Sequence, residues 1–237
     1  MIEKLKLLIE KNRFLADIIR YIYRKTILRY KKYKLNKNFK KHSKFVLGQL
    51  NKVFEELNIS YWLVYGTLLG VYRDGKFIEH DDDIDVGLFL DDYSKDIRVV
   101  LQKYGFRLVR EILIDNGEYG REETYNLEGI DIDLFYFSKK ENCFKVHDFK
   151  NEDDKSWAKT IQDKGGLIVR ERTFKKFDII YINFLDSKYP IPNNTHKHLA
   201  SVYGEDFMIP NPSWSPYNQP KNIKVLDDKI GMVVDYD

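Results

Sequence analysis

Two aspartates spaced two residues apart are the first feature of this sequence that could do chemistry. Asp83 and Asp85 alternate with Ile84 and Val86. In an extended strand the carboxylates therefore share one face and the apolar side chains share the other. Side-by-side anions repel each other unless a cation or water lies between them. Because no pair of cysteines or histidines lies nearby, the hard oxygen ligands predict Mg²⁺ or Mn²⁺ rather than Zn²⁺.

The acidic run also has a simpler interpretation, as a loop exposed to solvent. We favour that interpretation for Asp81 and Asp82, which precede the alternating pattern. For Asp83 and Asp85 we favour a metal site, because apolar residues interleave with them and a Gly-Thr pair comes shortly before them.

A second segment, residues 130–137, repeats the alternation of carboxylates and apolar residues. Asp133 precedes a wholly apolar run, so we predict that it lies where a strand enters the core and supplies the third carboxylate. Asp131 is predicted to lie beside it and to contact the substrate. The pattern alone does not decide which of the two is the third carboxylate, and a solvated strand edge is the alternative for both.

A strand followed by a tight turn is expected just before the first carboxylates. Residues 61–65 are apolar or aromatic and favour a strand. Gly66 then frees the backbone, and Thr67 is predicted to cap a short helix over residues 68–72. Such a turn presents free N–H groups, which suit a phosphate.

Further elements follow from periodicity and turn residues. Residues 138–166 are polar and are expected to be irregular surface. The predicted helices are residues 2–33, 43–58, 94–104 and 196–203, and the predicted strands are residues 106–114, 119–127 and the pair 167–174 and 177–184.

Charge is distributed unevenly along the 237 residues. Residues 1–45 contain 15 Lys and Arg against 3 Asp and Glu, a net of +12, whereas residues 46–237 contain 25 against 34, a net of −9. We therefore divide the chain into a basic amphipathic helical segment, 1–44, and a catalytic domain, 45–237. The segment could contact an anionic membrane through residues 1–40, or pack on its own domain or on a second copy.

Composition excludes several classes of protein. No apolar run approaches the roughly 18 residues needed to span a bilayer, and no secretory signal is recognised at the N-terminus. Cys143 is the single cysteine, which excludes an intramolecular disulfide. We expect a cytoplasmic protein, peripheral at the inner membrane face if the basic segment binds lipid. Basic charge without a recognition motif does not indicate nucleic-acid binding.

The order Gly-Thr, Asp-x-Asp, Asp resembles that of the nucleotidyltransferase superfamily. Within it, the segment GTLLGVYRDGKFIEHDDDIDVG resembles the signature of the LicD/fukutin family, and the segments IDIDLF and HLASVYGEDFMIP agree with it. The resemblance covers most of residues 45–212 and implies an α+β fold, a mixed β-sheet flanked by helices.

The resemblance also implies a phosphotransferase. Such an enzyme moves phosphocholine, a phosphoalditol such as ribitol or glycerol phosphate, or a phosphonate from a CDP- or CMP-activated donor. The acceptor would be a hydroxyl of a glycan or lipid-linked oligosaccharide in cell-surface polysaccharide modification, and CMP would be released. Arg73, expected on a loop between the two motifs, would neutralise charge on the donor phosphates.

Carried over residue by residue, the resemblance assigns the remaining roles. Gly66 and Thr67 would contact the donor phosphates. Asp83 and Asp85 would bind Mg²⁺, and Asp133 would act as a base or as a further ligand.

Two rival functions use the same residues differently. A glycosyltransferase could use Asp-x-Asp to hold a metal-bound nucleotide sugar, although a nucleotide-binding βαβ region usually precedes that motif. A basic adaptor with a calcium-binding loop would need an EF-hand spacing that residues 81–87 lack. Metal and nucleotide titrations distinguish the three.

Overall fold

The computed structural model describes residues 21, 23–211, 214 and 222–236. A π-helical turn, Tyr23–Leu28, continues into α1, Arg29–Leu57, and the other helices are α2, Tyr65–Asp74, α3, Lys95–Lys103, α4, Trp157–Lys164, and α5, Thr195–Tyr203. The strands are β1, Tyr61–Leu63, β2, Asp83–Phe89, β3, Arg107–Ile114, β4, Gly120–Leu127, β5, Ile130–Lys139, β6, Cys143–Lys150, β7, Leu167–Lys175, β8, Ile179–Phe184, β9, Ser187–Pro192, and β10, Ile223–Asp235.

Eight strands form one sheet in the order β1-β2-β5-β4-β3-β10-β7-β6, and β8 and β9 form a separate hairpin. The far end of β5 also pairs with β6, so the six strands β5, β4, β3, β10, β7 and β6 close into a ring, called here the strand ring. Among the described strands, β2 and β5 are the pair that runs parallel. This arrangement confirms the predicted α+β fold with a mixed sheet and flanking helices.

The helical side of the sheet carries the main hydrophobic core. Ile84 and Val86 of β2 and Leu134 of β5, which alternate with the aspartates, are fully buried there. They share one apolar cluster with Val46 and Leu50 of α1. Each large apolar side chain buried in this way contributes roughly 1.5–3 kcal/mol. The same alternation therefore anchors the strands and turns the carboxylates toward the other face.

The long helix α1 differs from the two separate helices that the sequence predicted. Residues 34–42 contain no glycine or proline, so nothing ends the helix there, and Phe39 is buried against the domain. The predicted division at residue 44 falls inside α1 and stays a prediction. Most of the predicted basic helix, residues 2–20, lies outside the described residues.

Two further expectations were wrong. Residues 138–166, expected to be irregular, contain β6 and α4. In β6 the alternation of Phe144 and Val146 breaks at the polar Asp148, so its apolar period is obscured. The segments 167–174 and 177–184 do not pair with each other, because β7 lies between β10 and β6 while β8 pairs with β9. Within the described ranges, no helix is both long and apolar enough to cross a bilayer.

Candidate active site

Three aspartates converge where β2 and β5 run side by side. The strands pair in parallel register, with Asp83 beside Asp131 and Asp85 beside Asp133. Asp83, Asp85 and Asp133 each offer a carboxylate oxygen, and these atoms lie within 4.8 Å of one another. The predicted convergence is thus confirmed, and these three residues are called the aspartate trio below.

Hydrogen bonds hold two members of the trio in place. The backbone N–H of Gly66 donates to Asp85 Oδ2 at 3.1 Å, and the hydroxyl of Thr124 on β4 donates to Asp133 Oδ1 at 2.6 Å. Asp131 is exposed and instead accepts a hydrogen bond from Asn126 at 2.6 Å. By geometry, Asp133 completes the cluster and Asp131 lies at its edge, so the predicted contact of Asp131 with substrate stays a prediction.

Burial and mutual repulsion act together on the trio. Burial, and then Asp133 and the preceding acidic residues, raises the pKa of Asp83 to about 7. Burial raises the pKa of Asp133 to about 6, although the hydrogen bond from Thr124 opposes the rise. The pKa of Asp85 is raised well above its usual value by burial and by both other members. A divalent cation would stabilise the ionised forms, and three carboxylates without Cys or His are the donors that Mg²⁺ or Mn²⁺ prefers.

Asp81 lies against the trio rather than in a solvated loop. A Cβ added at Gly66 would lie 3.2 Å from Asp81 Oδ2 and 3.4 Å from Asp85 Oδ2. Burial, and then Asp82, raises the pKa of Asp81 to about 6. The expectation of solvent exposure was therefore wrong for Asp81, although Asp82 is exposed. Asn36 of α1 donates hydrogen bonds to the backbone carbonyls at both ends of the 79–81 loop and so holds it against the domain.

The turn before the acidic strand also differs in detail from the prediction. Helix α2 begins at Tyr65 with Val64 as its N-cap, so Thr67 is not the cap. Thr67 is fully buried, and its hydroxyl accepts the backbone N–H of Asp85 at 2.9 Å. The predicted contacts of Gly66 and Thr67 with donor phosphates stay predictions, and both residues position Asp85. Tyr65 has a φ of 43°, a strained backbone conformation of the kind found at functional sites.

The trio opens into a cavity of about 600 Å³, and residues from five strands of the strand ring contribute to its wall. Its wall combines many acidic side chains with few basic ones. The acidic residues are Asp81, Asp82, Asp83, Asp85, Glu122, Asp131, Asp133 and Asp148, and the basic residues are Arg110, Arg170 and Arg172. The excess of carboxylates means that a phosphate-bearing ligand would be repelled unless a divalent cation accompanied it.

The sequence did not single out the arginines of this wall. Arg170 and Arg172 alternate along β7, and the Nε atoms of both donate to the carboxylate of Asp148 on β6. Alternating arginines on a predicted strand were the available signal. They passed unnoticed because β6 was not recognised and the ring interior could not be inferred.

Arg73 does not lie on a loop, as the sequence had suggested. It belongs to the last turn of α2 and donates two hydrogen bonds to the carboxylate of Asp74, at 3.0 and 2.9 Å. It contributes to a second cavity of about 910 Å³ and is not part of the wall around the trio. Its predicted role at the donor phosphates stays a prediction. The two cavities share Gly66, Asp81, Tyr203 and Trp214, and the rings of the last two lie 4.6 Å apart.

Comparisons with known proteins agree with this arrangement. The chain is 28% identical over 186 residues to ribitol-5-phosphate transferase FKTN of Homo sapiens, a match over 78% of this chain and 37% of that protein. The Mus musculus protein of the same name is 27% identical over the same shares of both chains. An uncharacterized protein of Rickettsia typhi is 33% identical over 108 residues, covering 43% of this chain and 31% of that protein.

The chain spans little more than a third of the length of the FKTN proteins. A family model described as LicD/FKTN/FKRP, nucleotidyltransferase domain, matches residues 58–194, a range that contains β1, α2 and all three members of the trio. Because that match covers more than half of the chain, this protein belongs to the LicD/FKTN/FKRP family through its nucleotidyltransferase domain.

Proposed function

We propose that this protein is a metal-dependent phosphotransferase of cell-surface polysaccharide modification. It would transfer a substituted phosphate group from a CDP- or CMP-activated donor to a glycan hydroxyl and release CMP. The observation that carries the proposal is the convergence of Asp83, Asp85 and Asp133 at the mouth of one cavity. Membership in the LicD/FKTN/FKRP family supports the same reaction class.

The donor set of the trio fits Mg²⁺ or Mn²⁺. Asp83, Asp85 and Asp133 would hold such an ion, which would neutralise the negative charge that develops on the phosphate during transfer. Gly66 and Thr67 would keep Asp85 in position, and Thr124 would orient Asp133. The acidic excess of the cavity makes metal dependence a direct physical expectation, because the donor is itself an anion.

The transfer would form one phosphorus–oxygen bond and break another. The oxygen of the acceptor hydroxyl forms a bond to the distal phosphorus of the donor, and the bond between that phosphorus and the CMP oxygen breaks. A cavity carboxylate takes the proton of the hydroxyl. Asp133 is the family-based candidate, and Glu122, which lines the same cavity, is a second carboxylate within the wall.

The transferred group is best proposed as a phosphoalditol. The FKTN relatives are named ribitol-5-phosphate transferases, which favours ribitol phosphate or a similar phosphoalditol over phosphocholine or a phosphonate. The acceptor is proposed to be a glycan or a lipid-linked oligosaccharide.

The experiment is a donor screen with Mg²⁺ and an oligosaccharide. CDP-ribitol, CDP-glycerol, CDP-choline and a CMP-phosphonate are incubated with the protein, and CMP release is measured. We expect release with at least one donor, its loss on chelation, and its loss in the variant carrying both Asp83→Asn and Asp85→Asn. Binding of UDP-sugars without any binding of CDP donors would favour the glycosyltransferase alternative. Nucleotide binding that is unchanged by the double substitution would contradict the site.

We further propose that the basic stretch of the helix docks the protein on an anionic membrane at the cytoplasmic face. Residues 25–35 are exposed and mix basic with apolar and aromatic side chains. Leu35 also lines the cavity wall, so docking would bring a lipid-linked acceptor close to the trio. Each basic residue near such a surface contributes about 1 kcal/mol.

Vesicle co-sedimentation tests this docking. Deleting residues 1–40 would also remove Asn36 and the buried Phe39, so exposed charges are the better target. Binding to vesicles with anionic lipid should fall when three exposed basic residues of the stretch are neutralised and should persist when three exposed lysines elsewhere are neutralised. The first variant changes Lys25, Arg29 and Lys31 to Ser, and the control changes Lys95, Lys140 and Lys175 to Ser. Equal binding by both variants would contradict the proposal.

A further inference from the structure

A row of directly paired residues crosses four neighbouring strands and leads from the aspartate trio to a basic side chain. Asp85 on β2 pairs with Asp133 on β5, Asp133 with Thr124 on β4, and Thr124 with Arg110 on β3. Residues directly paired across a sheet share a face, and adjacent strands lie about 4.8 Å apart. The backbone of Arg110 is therefore about 10 Å from that of Asp133, a gap that an arginine side chain and a phosphate ligand can fill together.

A bulge places Arg110 on the cavity face. The register between β3 and β4 shifts between Leu108, which pairs with Tyr125, and Arg110, which pairs with Thr124. Leu108 and Tyr125 are both buried in the main core. In a register without this shift, Val109 would pair with Thr124, and Arg110 would pair with Glu123 and face that core. Bulges of this kind re-aim side chains next to active sites.

Arg110 lacks the strong partners that the other cavity arginines have. Its Nε is buried and, among the described residues, has no hydrogen-bond partner. Its carboxylate neighbour Asp235 lies 3.9 Å away and is 79% exposed, so that pair is weak and screened. The guanidinium lies 5.2 Å from the ring centre of Trp157, which orients it without using its N–H groups. Arg170 and Arg172, by contrast, both bind Asp148.

Arg110 lies on the same cavity wall as the catalytic carboxylates. The residues that line this cavity include Arg110, Glu122 and Asp133. The guanidinium therefore lies close enough to act on a ligand held by the trio. A planar fork of N–H donors also matches phosphate oxygens in pairs.

Building on the proposed function, we infer that Arg110 directly binds the phosphate groups of the activated donor, between the aspartate trio and the Arg170–Arg172–Asp148 cluster. In this role it replaces Arg73, the residue that the sequence suggested. The sugar hydroxyl and the nucleoside need not touch it, so its contribution should depend on the number of phosphates in the ligand.

The test is a set of binding titrations on the full chain with Mg²⁺. The probes are CDP, inorganic pyrophosphate and cytidine, and the variants are Arg110→Met, Arg110→Lys and Arg73→Met. Arg107→Met, at an exposed position of the same strand, is the matched control. Methionine retains much of the side-chain length beside Trp157, and lysine retains the charge without the fork. Thermal unfolding and Mn²⁺ binding show whether each variant keeps its fold and its metal site.

We expect Arg110→Met to weaken the binding of CDP and of pyrophosphate by about 10- to 100-fold, because charge-assisted hydrogen bonds to the phosphates are lost. Arg110→Lys should lose less affinity for both phosphate probes. The binding of Mn²⁺ and of cytidine should not change in either variant. Arg107→Met and Arg73→Met should bind both phosphate probes like the unaltered protein.

The outcomes separate this inference from the proposed function. If CDP binds the unaltered protein and Arg110→Met equally well, the inference is overturned while the donor assignment stands. If pyrophosphate alone binds and Arg110→Met loses it, the inference stands and the nucleotide part of the function fails. Loss in Arg73→Met instead of Arg110→Met overturns the inference in favour of Arg73. If neither probe binds the unaltered protein, both proposals fail.

Discussion

Buried carboxylates occur on both faces of the same sheet, and the two groups differ in the partners that surround them. On the helical face, Glu123 of β4 is only 3% exposed. It accepts hydrogen bonds from Arg121 at 3.0 Å, from Tyr136 at 2.8 Å and from Tyr125 at 3.2 Å. Glu111 lies 3.9 Å from the same guanidinium. Arg121 thus compensates the charge of Glu123, and we call this group the compensated cluster.

On the cavity face, the aspartate trio has no such compensation. Its partners are the N–H of Gly66 and the hydroxyl of Thr124, and within the described residues no lysine, arginine or histidine forms an ion pair with it. Burying uncompensated charge costs stability. The difference teaches that the paired carboxylates of the core serve the fold, whereas the unpaired ones of the cavity have the donor set of the proposed metal site.

The largest effect should come from breaking the compensated cluster. Arg121→Met would leave Glu123 buried without its cation, and we expect the free energy of unfolding to fall by about 3–5 kcal/mol. Mn²⁺ binding by the folded variant should be unchanged. Urea unfolding measures the first quantity and a metal titration the second.

A matched surface pair serves as control for that variant. Lys40 and Glu79 lie 3.4 Å apart with both side chains more than half exposed, so Lys40→Met should cost less than about 1 kcal/mol. Similar losses of unfolding free energy for Arg121→Met and Lys40→Met would show that the buried pair matters no more for stability than the surface pair.

A substitution in the trio should change the free energy of unfolding in the opposite direction. Asp85→Asn should weaken Mg²⁺ binding by at least roughly 100-fold, because it removes a ligand. It should also stabilise the metal-free protein at neutral pH. Burial and its neighbours raise the pKa of Asp85, so the folded state loses stability as the pH rises from the unfolded value toward the folded one.

Stability measured with and without Mg²⁺ tests this prediction. For Asp85→Asn the metal-free curve should lie above that of the unaltered protein at pH 8, and added Mg²⁺ should shift it little. A metal-free variant less stable than the unaltered protein would contradict the claim that the trio is uncompensated.

A buried histidine allows the effect of burial on pH-dependent stability to be tested at a group outside the carboxylate clusters. His198 stacks on Phe174 at 4.2 Å, and burial lowers its pKa to about 3. Below about pH 6.5 the imidazole of His198 becomes protonated in the unfolded chain but stays neutral in the folded protein. Its effect on the free energy of unfolding is therefore absent above that pH, and stability falls as the pH is lowered below it. At pH 5 the loss amounts to about 2 kcal/mol.

Replacing His198 should remove this part of the acid sensitivity. The free energy of unfolding of His198→Leu should depend less steeply on pH between 4.5 and 6.5 than that of the unaltered protein. Identical slopes for the two proteins would show that His198 takes up its proton in the folded state.

The smallest effect concerns the hydroxyl that orients Asp133. Thr124→Val removes one hydrogen bond to the trio and should weaken Mg²⁺ binding by about fivefold, or about 1 kcal/mol. Asn126→Ala, which removes the matching bond to the exposed Asp131, should change metal affinity less. Equal effects of the two substitutions would place Asp131 in the metal site as firmly as Asp133.

Sequence reasoning succeeded where the placement of side chains follows from a local repeat. A period of two residues places Asp83 and Asp85 on one face, and the same period offers Asp131 and Asp133 as candidates for the third carboxylate. It misplaced Arg73 on a loop because α2 continues to Asp74. It missed Arg110 because a single-residue bulge, which no local pattern announces, decides which face of β3 that residue occupies.

The sequence by itself determined the carboxylates, their alternation with core residues and the resemblance to a family, because these depend on residue type and near-neighbour spacing. Only the tertiary structure decided that β2 and β5 lie side by side in register, that six strands close into a ring, and that arginines from β3 and β7 line the cavity beside the trio. Those facts depend on pairings between residues far apart in the chain. Such pairings are selected by the free energy of the whole sheet and its core rather than by any one segment.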